Sequence, residues 1–371
     1  MKKSLLKGVS LLLLVPALLS GCGNKSNNNQ TDEVKTQTTS LDPSKDKTPS
    51  GAEKTQKDAS TEAPSTPVDL EKVKPNEAGS VMVVMFHNFI EAYKSGDKEY
   101  TTTFEDFRKL LATLYEKDYR LVSMSDYLNN NISVPAGKIP MVFTFDDGTS
   151  GQFNLIEENG KLVTNPKSAV GVMEEFNKQH PDFGLKGSLY VNLGNPTFEG
   201  KGTIAERLKY LIDEGFEIGN HTLTHISLPS VKSADKIMEE VGGNQKKMLE
   251  IIPGYNFESL ALPFGGASKD LQKYVVSGEY QGVKYENHGL MLVGANPAPP
   301  STNKKFNPVA IPRVRASGIK LVDCDLTWWL SKSSRNDQYV SDGNPNTITV
   351  PKAKESLVDT TKLKDKKLVT Y

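Results

Sequence analysis

The stretch of sequence that decides the fold is Ile139-Pro-Met-Val-Phe-Thr-Phe-Asp-Asp-Gly148. Residues 139–145 form an apolar run of the kind found in strands that are buried on both faces of a parallel sheet. The run ends in two adjacent carboxylates, and neighbouring residues on a strand point in opposite directions, so Asp146 and Asp147 are predicted to have different roles. A solvated Asp-Asp-Gly turn is the alternative. The segment therefore predicts a buried strand whose C-terminal end, where barrel active sites lie, carries two acids.

Apolar runs and helical patterns alternate on both sides of this strand. The predicted strands are 81–85, 139–145, 187–193, 216–219, 259–262, 289–294 and 309–314. The predicted helices are 103–117, 168–178, 204–214, 233–252 with an interruption at Gly242-Gly243, and 269–276. Repeated strand–helix alternation favours an α/β fold, with a parallel sheet that is covered by helices and closed as a barrel.

The N-terminal segment is predicted to be a targeting signal. Lys2, Lys3 and Lys7 precede an apolar run of 11 residues, 9–19. A membrane-spanning helix needs about 20 apolar residues, so this run is typical of a signal peptide. It ends in Leu19-Ser-Gly-Cys22, which resembles a bacterial lipobox and implies cleavage before Cys22 and lipid on its thiol. We expect a protein outside the cytoplasm, anchored by lipid to the bacterial cell membrane; an ordinary signal peptide with an incidental cysteine is the alternative.

Composition then divides the remaining chain. Residues 23–78 contain no aromatic side chain and are predicted to be a disordered linker that begins at the lipid-anchored residue 22. The catalytic domain is predicted over 79–334, and 335–371 is an extension without an assignment. The 45 basic and 45 acidic residues among 371 leave no net charge, which argues against nucleic acid as a partner. Two cysteines are too few for a disulfide scaffold or a cysteine zinc site. A monomer is expected.

Two further motifs follow predicted strands. His221-Thr-Leu-Thr-His225 comes after strand 216–219 and places two of the five histidines of the chain at i and i+4. Two histidines and a carboxylate make a three-ligand open site suited to zinc or a similar divalent ion, although surface placement of the pair is the alternative. Ala261-Leu-Pro-Phe-Gly265 follows strand 259–262 and by itself indicates only a turn.

Taken in this order, the three motifs resemble those of the polysaccharide deacetylases with a NodB-type domain, carbohydrate esterase family four. The resemblance covers about residues 80–330 and implies a distorted (β/α) barrel that hydrolyses N-acetyl groups of amino-sugar polymers. By position, it makes Asp146 the general base. It assigns the metal to Asp147, His221 and His225, with zinc expected and cobalt, nickel or iron as alternatives. It places Pro263 and Phe264 along the sugar groove.

Departures from the common family pattern point to one branch. No histidine follows His288, where the family carries a late general acid, and Ala261-Leu262 stands where an arginine is common. The third motif is closer to the poly-N-acetylglucosamine deacetylase branch, which also has a histidine after its first strand, as His87 is here. Because breaking a C–N bond needs a proton donor, His87 is predicted to be the acid. A structural histidine that orients a neighbour is the alternative. Arg313 matches a late Pro-Arg element of that branch and is placed in the substrate-binding set. A charge-assisted pair to Asp146 is its expected contact, with ordinary structural pairing as the alternative.

The predicted function is therefore metal-dependent removal of N-acetyl groups from peptidoglycan or a poly-N-acetylglucosamine polymer at the cell surface. Two alternatives stay open: an esterase that removes O-acetyl groups from polysaccharide, and a non-catalytic lipoprotein that binds sugar. The second explains the sequence less well, because a binding protein needs no acid beside the metal ligand Asp147. Trp328 and Trp329 are candidates for sugar stacking or for core packing.

Overall fold

The structure is a computed structural model that describes residues 68–97, 99–317 and 322–371. The predicted signal peptide, Cys22 and most of the predicted linker lie outside the described residues. None of the helices in the described ranges is long and apolar enough to cross a membrane.

Helices and strands alternate along the described chain. The helices are α1 (Leu70–Val73), α2 (Phe104–Glu116), α3 (Met124–Leu128), α4 (Ala169–Gln179), α5 (Ile204–Asp213), α6 (Ala234–Ile251), α7 (Gln272–Val276) and α8 (Leu326–Lys332). The strands are β1 (Met82–Phe86), β2 (Asn88–Ile90), β3 (Thr101–Thr103), β4 (Tyr119–Leu121), β5 (Ile139–Asp146), β6 (Leu155–Glu158), β7 (Lys161–Thr164), β8 (Ser188–Val191), β9 (Glu217–Asn220), β10 (Ser259–Ala261), β11 (Ser277–Tyr280), β12 (Val283–Glu286), β13 (Gly289–Met291), β14 (Val314–Arg315), β15 (Thr347–Val350) and β16 (Lys367–Thr370).

The main sheet is parallel and runs in the order β13-β10-β9-β8-β5-β1-β14, with β4 paired to the first half of β5. The segment 311–315 contacts both edges of this sheet. Ile311 bridges Met291 of β13 at one edge, and β14 pairs with β1 at the other. Every residue of β1 and β5 is buried, as expected for strands covered on both faces. The predicted α/β fold, a distorted barrel of parallel strands with outer helices, is confirmed.

Local sequence signals explain where the outer helices begin. The side chain of Thr103 accepts a hydrogen bond from the main chain of the first turn of α2, and Ser168 does the same for α4. Thr203 and Glu206 form a complete capping box at α5. These three helices begin where they were predicted, because each cap satisfies a main-chain N–H group that has no partner within the helix.

The predicted interruption of the long helix at Gly242-Gly243 is wrong. Helix α6 continues through both glycines. A side chain at residue 242 would lie 2.6 Å from the Cβ atom of Tyr280 and 2.9 Å from the ring of Tyr285, which belong to the β11–β12 hairpin. The two glycines therefore let the hairpin pack closely against α6. The burial gained by this packing outweighs the low helix propensity of glycine, so the helix continues.

Residues 70–79, which the predicted linker included up to residue 78, contain helix α1 and a buried segment. Residues 75–79 are buried, and Asn76 bridges Val340 in the C-terminal extension. Its side-chain amide donates to the carbonyl of Gln338 at 2.9 Å. The extension itself forms the parallel pair β15–β16, and Ala78 packs against Ile348 of β15. Composition missed this contact because polar side chains and main-chain hydrogen bonds, not an apolar pattern, attach the entry segment.

Candidate active site

The two acids at the end of β5 face different partners. Asp146 is the last residue of the strand and is buried, whereas Asp147 begins the turn with a φ of +83° and is partly exposed. The left-handed conformation at Asp147, followed by Gly148 at +64°, turns the chain away from the strand direction. One carboxylate therefore points into the barrel and the other toward the histidine motif.

Asp146 is held by Arg313 in a bidentate pair. Nη1 donates to Oδ1 and Nη2 donates to Oδ2, each at 2.7 Å. The guanidinium also donates to Thr144 Oγ1 at 3.1 Å and to the carbonyl of Leu292 at 2.7 Å. Burial by itself raises the pKa of Asp146, but the Arg313 charge, with help from His221 and His87, holds that pKa well below its usual range.

The position of Arg313 corrects its place in the substrate-binding set. The side chain is fully buried and its donors are occupied by Asp146, Thr144 and Leu292. A group with no exposed surface cannot bind a polymer. Arg313 is instead the partner of Asp146, which is the contact that was expected of it.

The histidine motif converges on Asp147. His221 and His225 follow β9, and each Nε2 lies 3.4 Å from Asp147 Oδ1. The segment between them is an irregular turn with positive φ at Thr222 and His225, not a helical turn. Asn192, at the end of β8, donates to the carbonyls of His221 and Thr222 and holds this turn. The motif therefore depends on a neighbouring strand for its shape.

The three side chains fit a divalent metal. Their ligand atoms lie within 4.8 Å of one another. His221 Nδ1 is 2.7 Å from the carbonyl of Ala261, and this contact assigns the proton to Nδ1 and leaves Nε2 free for a metal. Burial raises the pKa of Asp147, but the contact with His221 outweighs it and keeps the carboxylate in its ligating form. One carboxylate and two imidazoles are a donor set typical of zinc and similar ions.

His87 lies directly after β1 and faces Asp146. Its Nε2 is 3.8 Å from Asp146 Oδ2, and its other ring nitrogen is buried without a hydrogen-bond partner in the described part of the chain. Burial lowers the pKa of His87, against the opposing charges of Asp146 and Asp147. Gln152 donates to the carbonyl of His87 at 2.7 Å and also to that of Asp146, so one side chain joins the ends of β1 and β5.

The third motif presents an aromatic ring beside the metal ligands. Phe264 is 67% exposed, has a φ of +57°, and places its ring centroid 4.9 Å from that of His225. Pro263 is buried, so of the predicted pair only Phe264 offers a surface to a ligand. Trp328 and Trp329 are half-buried and contact each other, and Trp329 donates to the carbonyl of Ala295 at 3.0 Å.

Sequence reasoning missed three residues that shape the site. Thr144, Gln152 and Asn192 each hold a functional residue through a side-chain hydrogen bond. Thr144 lies inside the motif that was singled out, but its partner Arg313 is far away in the sequence. Gln152 and Asn192 donate to main-chain carbonyls, which leave no pattern in a sequence.

The comparisons with known proteins agree with this geometry. A sequence model of the polysaccharide deacetylase family matches residues 133–283, a range that holds Asp146, Asp147, both histidines of the pair and Phe264. No curated protein matches the chain. A solved polysaccharide deacetylase from Bacillus cereus is similar with a TM-score of 0.51 and 19% identity, covering 68% of each chain.

Two more solved structures are similar. A Streptococcus pyogenes deacetylase in complex with acetate has a TM-score of 0.50 and 14% identity, covering 69% of this chain and 98% of that one. IcaB from Ammonifex degensii has a TM-score of 0.46 and 16% identity, covering 66% and 94%. Similarity at these identities indicates a shared fold alone. Membership of the poly-N-acetylglucosamine deacetylase branch stays a prediction. Residues 133–283 therefore match the polysaccharide deacetylase family, and the described chain shares its fold with the solved polysaccharide deacetylase from Bacillus cereus.

Proposed function

We propose that the protein is a metal-dependent hydrolase that removes N-acetyl groups from an amino-sugar polysaccharide of the peptidoglycan or poly-N-acetylglucosamine type. The observation that carries this proposal is that two adjacent acids have different partners. Asp146 is fixed by Arg313 and faces His87, while Asp147 faces His221 and His225. A site that only binds sugar has no use for a second, buried carboxylate beside its metal ligand.

Each side chain has a chemical task in this reaction. A divalent metal, zinc by our expectation, would polarise the acetyl carbonyl and lower the pKa of a water molecule. Asp146, kept ionised by Arg313, accepts the proton of the attacking water at its carboxylate. His87 Nε2, 3.8 Å from Asp146 Oδ2, delivers a proton to the leaving amine. Without that proton, an amide nitrogen is a very poor leaving group and the tetrahedral adduct returns to substrate.

Phe264 supports a sugar as the substrate. Its ring is the exposed aromatic surface of the third motif and lies against His225. Sugar rings present C–H faces that pack on aromatic rings, and such a platform next to the metal ligands would orient an acetamido group toward them.

The proposal includes a location outside the cytoplasm. The lipobox-like Leu19-Ser-Gly-Cys22 after a short apolar run supports lipid attachment at Cys22 and anchoring to the bacterial cell membrane. In that setting a monomeric domain would meet the polymers of the cell envelope.

Acetate release from two polymers tests the reaction. The purified full chain, loaded with zinc, is assayed on N-acetylglucosamine oligosaccharides and on acetylated xylan, with and without chelator. We expect acetate from the N-acetylated oligosaccharides, loss of release with chelator, and recovery when zinc is restored. Acetate from xylan alone would show an esterase. Binding of the oligosaccharide with no acetate from either polymer would show a binding protein, and either result overturns the proposal.

A further inference from the structure

Within the residues that the structure describes, His87 makes no hydrogen bond of the kind that ordinarily orients a catalytic histidine. An imidazole that transfers a proton through one ring nitrogen is usually fixed by a carboxylate or carbonyl at the other. In the described part of the chain, Nδ1 of His87 is buried and has no such partner. Its main chain is held by Gln152, but that bond does not set the rotation of the ring. Another contact must therefore fix the direction in which Nε2 points.

Tyr100 makes that contact. The ring centroids of His87 and Tyr100 lie 4.7 Å apart, with the planes inclined by 60°. The strand register produces this proximity, because Asn88 of β2 pairs with Thr101 of β3 and so aligns the residues that precede them. Asn88 also donates its main-chain N–H to the carbonyl of Tyr100 at 2.9 Å. Neighbouring strands lie about 5 Å apart, so residues opposed in this way have side chains close enough to pack.

Arg315 supports the Tyr100 ring. Its guanidinium carbon lies 5.2 Å from the centroid of that ring, within the range of a cation–π contact. Asp325, which is buried, accepts from Arg315 Nε at 2.8 Å, and Glu99 accepts from Nη1 at 2.6 Å. Two carboxylates on the planar guanidinium leave it little freedom to move. The position of the tyrosine ring is thus determined by charged groups that lie outside the metal site.

We propose that Tyr100, supported by Arg315, is a positioning residue that holds the His87 ring in the orientation required for proton transfer. This inference rests on the proposed function, in which His87 is the proton donor. Packing of the Tyr100 ring takes the place of the hydrogen bond that Nδ1 of His87 does not make within the described ranges. The proposal assigns this role to the ring, which makes the contact with His87, and not to the hydroxyl.

Two substrates and two variants test the proposal in the full, zinc-loaded chain. Tyr100→Ala removes the ring, and Tyr100→Phe keeps the ring without its hydroxyl. The substrates are an N-acetylglucosamine oligosaccharide, whose amine must be protonated, and 4-nitrophenyl acetate, whose leaving group needs no proton. We expect Tyr100→Ala to lower kcat on the oligosaccharide by about 10- to 100-fold, since a small misplacement of a catalytic group has that effect. KM, bound zinc and ester hydrolysis should change little, and Tyr100→Phe should restore amide turnover.

A double variant separates positioning from general stability. If Tyr100 acts through His87, then His87→Ala combined with Tyr100→Ala should be no slower on the oligosaccharide than His87→Ala alone. Tyr93→Ala is the matched control, because Tyr93 lies in the same connection but donates to Asp106. Thermal unfolding of each variant verifies that it is folded.

The outcomes are distinguishable. Parallel losses on amide and ester in a folded Tyr100→Ala variant, or additive losses in the double variant, would overturn the positioning role. Unchanged amide turnover in Tyr100→Ala would overturn it as well. An unmodified chain that releases no acetate from the oligosaccharide would instead refute the proposed function itself.

Discussion

Each terminal nitrogen of Arg313 lies 2.7 Å from a different carboxylate oxygen of Asp146, and both side chains are buried in the barrel. Two opposite charges in this geometry compensate each other's loss of hydration. The stability of the fold and the ionised state of Asp146, the proposed base, therefore both depend on this pair. Substitutions at either residue should affect both properties.

The first prediction concerns the removal of one member of that pair. Arg313→Met should lower the free energy of unfolding by about 3–5 kcal/mol, because it leaves Asp146 as an uncompensated buried charge. Deacetylation should also be lost, since the pKa of Asp146 rises without the guanidinium. Chemical denaturation gives the stability. The double variant Arg313→Met with Asp146→Asn should lose less stability than the single one, and a single variant as stable as the unmodified chain would contradict this interpretation.

The second prediction concerns the metal ligands. His221→Ala removes an imidazole whose Nε2 faces Asp147 and should lose both bound zinc and activity. Zinc content after dialysis is measured by elemental analysis, together with acetate release. His288, which is exposed and distant in sequence from the motif, provides the control: His288→Ala should keep both properties. Stoichiometric zinc in His221→Ala would refute the ligand set.

The third prediction assigns the proton donor. His87→Ala should retain zinc and fold but lose kcat on N-acetylated oligosaccharide by about 10²–10⁴-fold, the usual contribution of acid–base catalysis. Hydrolysis of an ester with a good leaving group should decline far less. Steady-state kinetics on the two substrates is the measurement. A variant with nearly normal kcat on the amide would exclude His87 from the mechanism.

The fourth prediction is a dependence of stability on pH. Burial, together with the nearby charge of Asp342, raises the pKa of Glu77 from 4.5 to about 8. The folded protein therefore binds one more proton than the unfolded chain between these values, and the free energy of unfolding should fall as pH rises through that window. Urea unfolding across this range measures the slope. Glu77→Gln should flatten it.

A matched control for Glu77 lies in the same segment. Glu71 is exposed on α1, so Glu71→Gln should leave the slope unchanged. A slope that persists in Glu77→Gln would assign the titration to another group.

The fifth prediction concerns the anchor. Cys22→Ala should release the protein from the membrane fraction, because the thiol that would carry the lipid is absent. Immunoblotting of membrane and soluble fractions measures this. The other cysteine supplies the control, since Cys324→Ala should remain with the membrane. Equal membrane retention of the two variants would argue against lipidation at Cys22.

Local sequence was sufficient for six strands of the main sheet and for the longer helices, but not for the four two-stranded pairs. The apolar run at 139–145 forms β5, and Thr103 and Ser168 cap the helices that they were predicted to begin. These signals are local because a strand buried on both faces must be apolar throughout, and a cap satisfies donors only two or three residues away. The strand predicted over 309–314 coincides with β14 only at Val314. The predictions at Gly242-Gly243 and at residue 78 also differed from the structure, and both concern contacts with distant segments.

The candidate site shows the same limit. The sequence alone indicated Asp146, Asp147, His221 and His225, because strand ends and motif spacing place such residues at one end of a parallel barrel. The pair of Arg313 with Asp146 was expected from the sequence, but only the tertiary structure decided that Arg313 is fully buried and that Tyr100 packs on His87. Each of these contacts joins segments that are far apart in the chain or aligned only by strand register. Long-range packing and charge pairing depend on where the barrel brings the strands together, and no local pattern of residues encodes that distance.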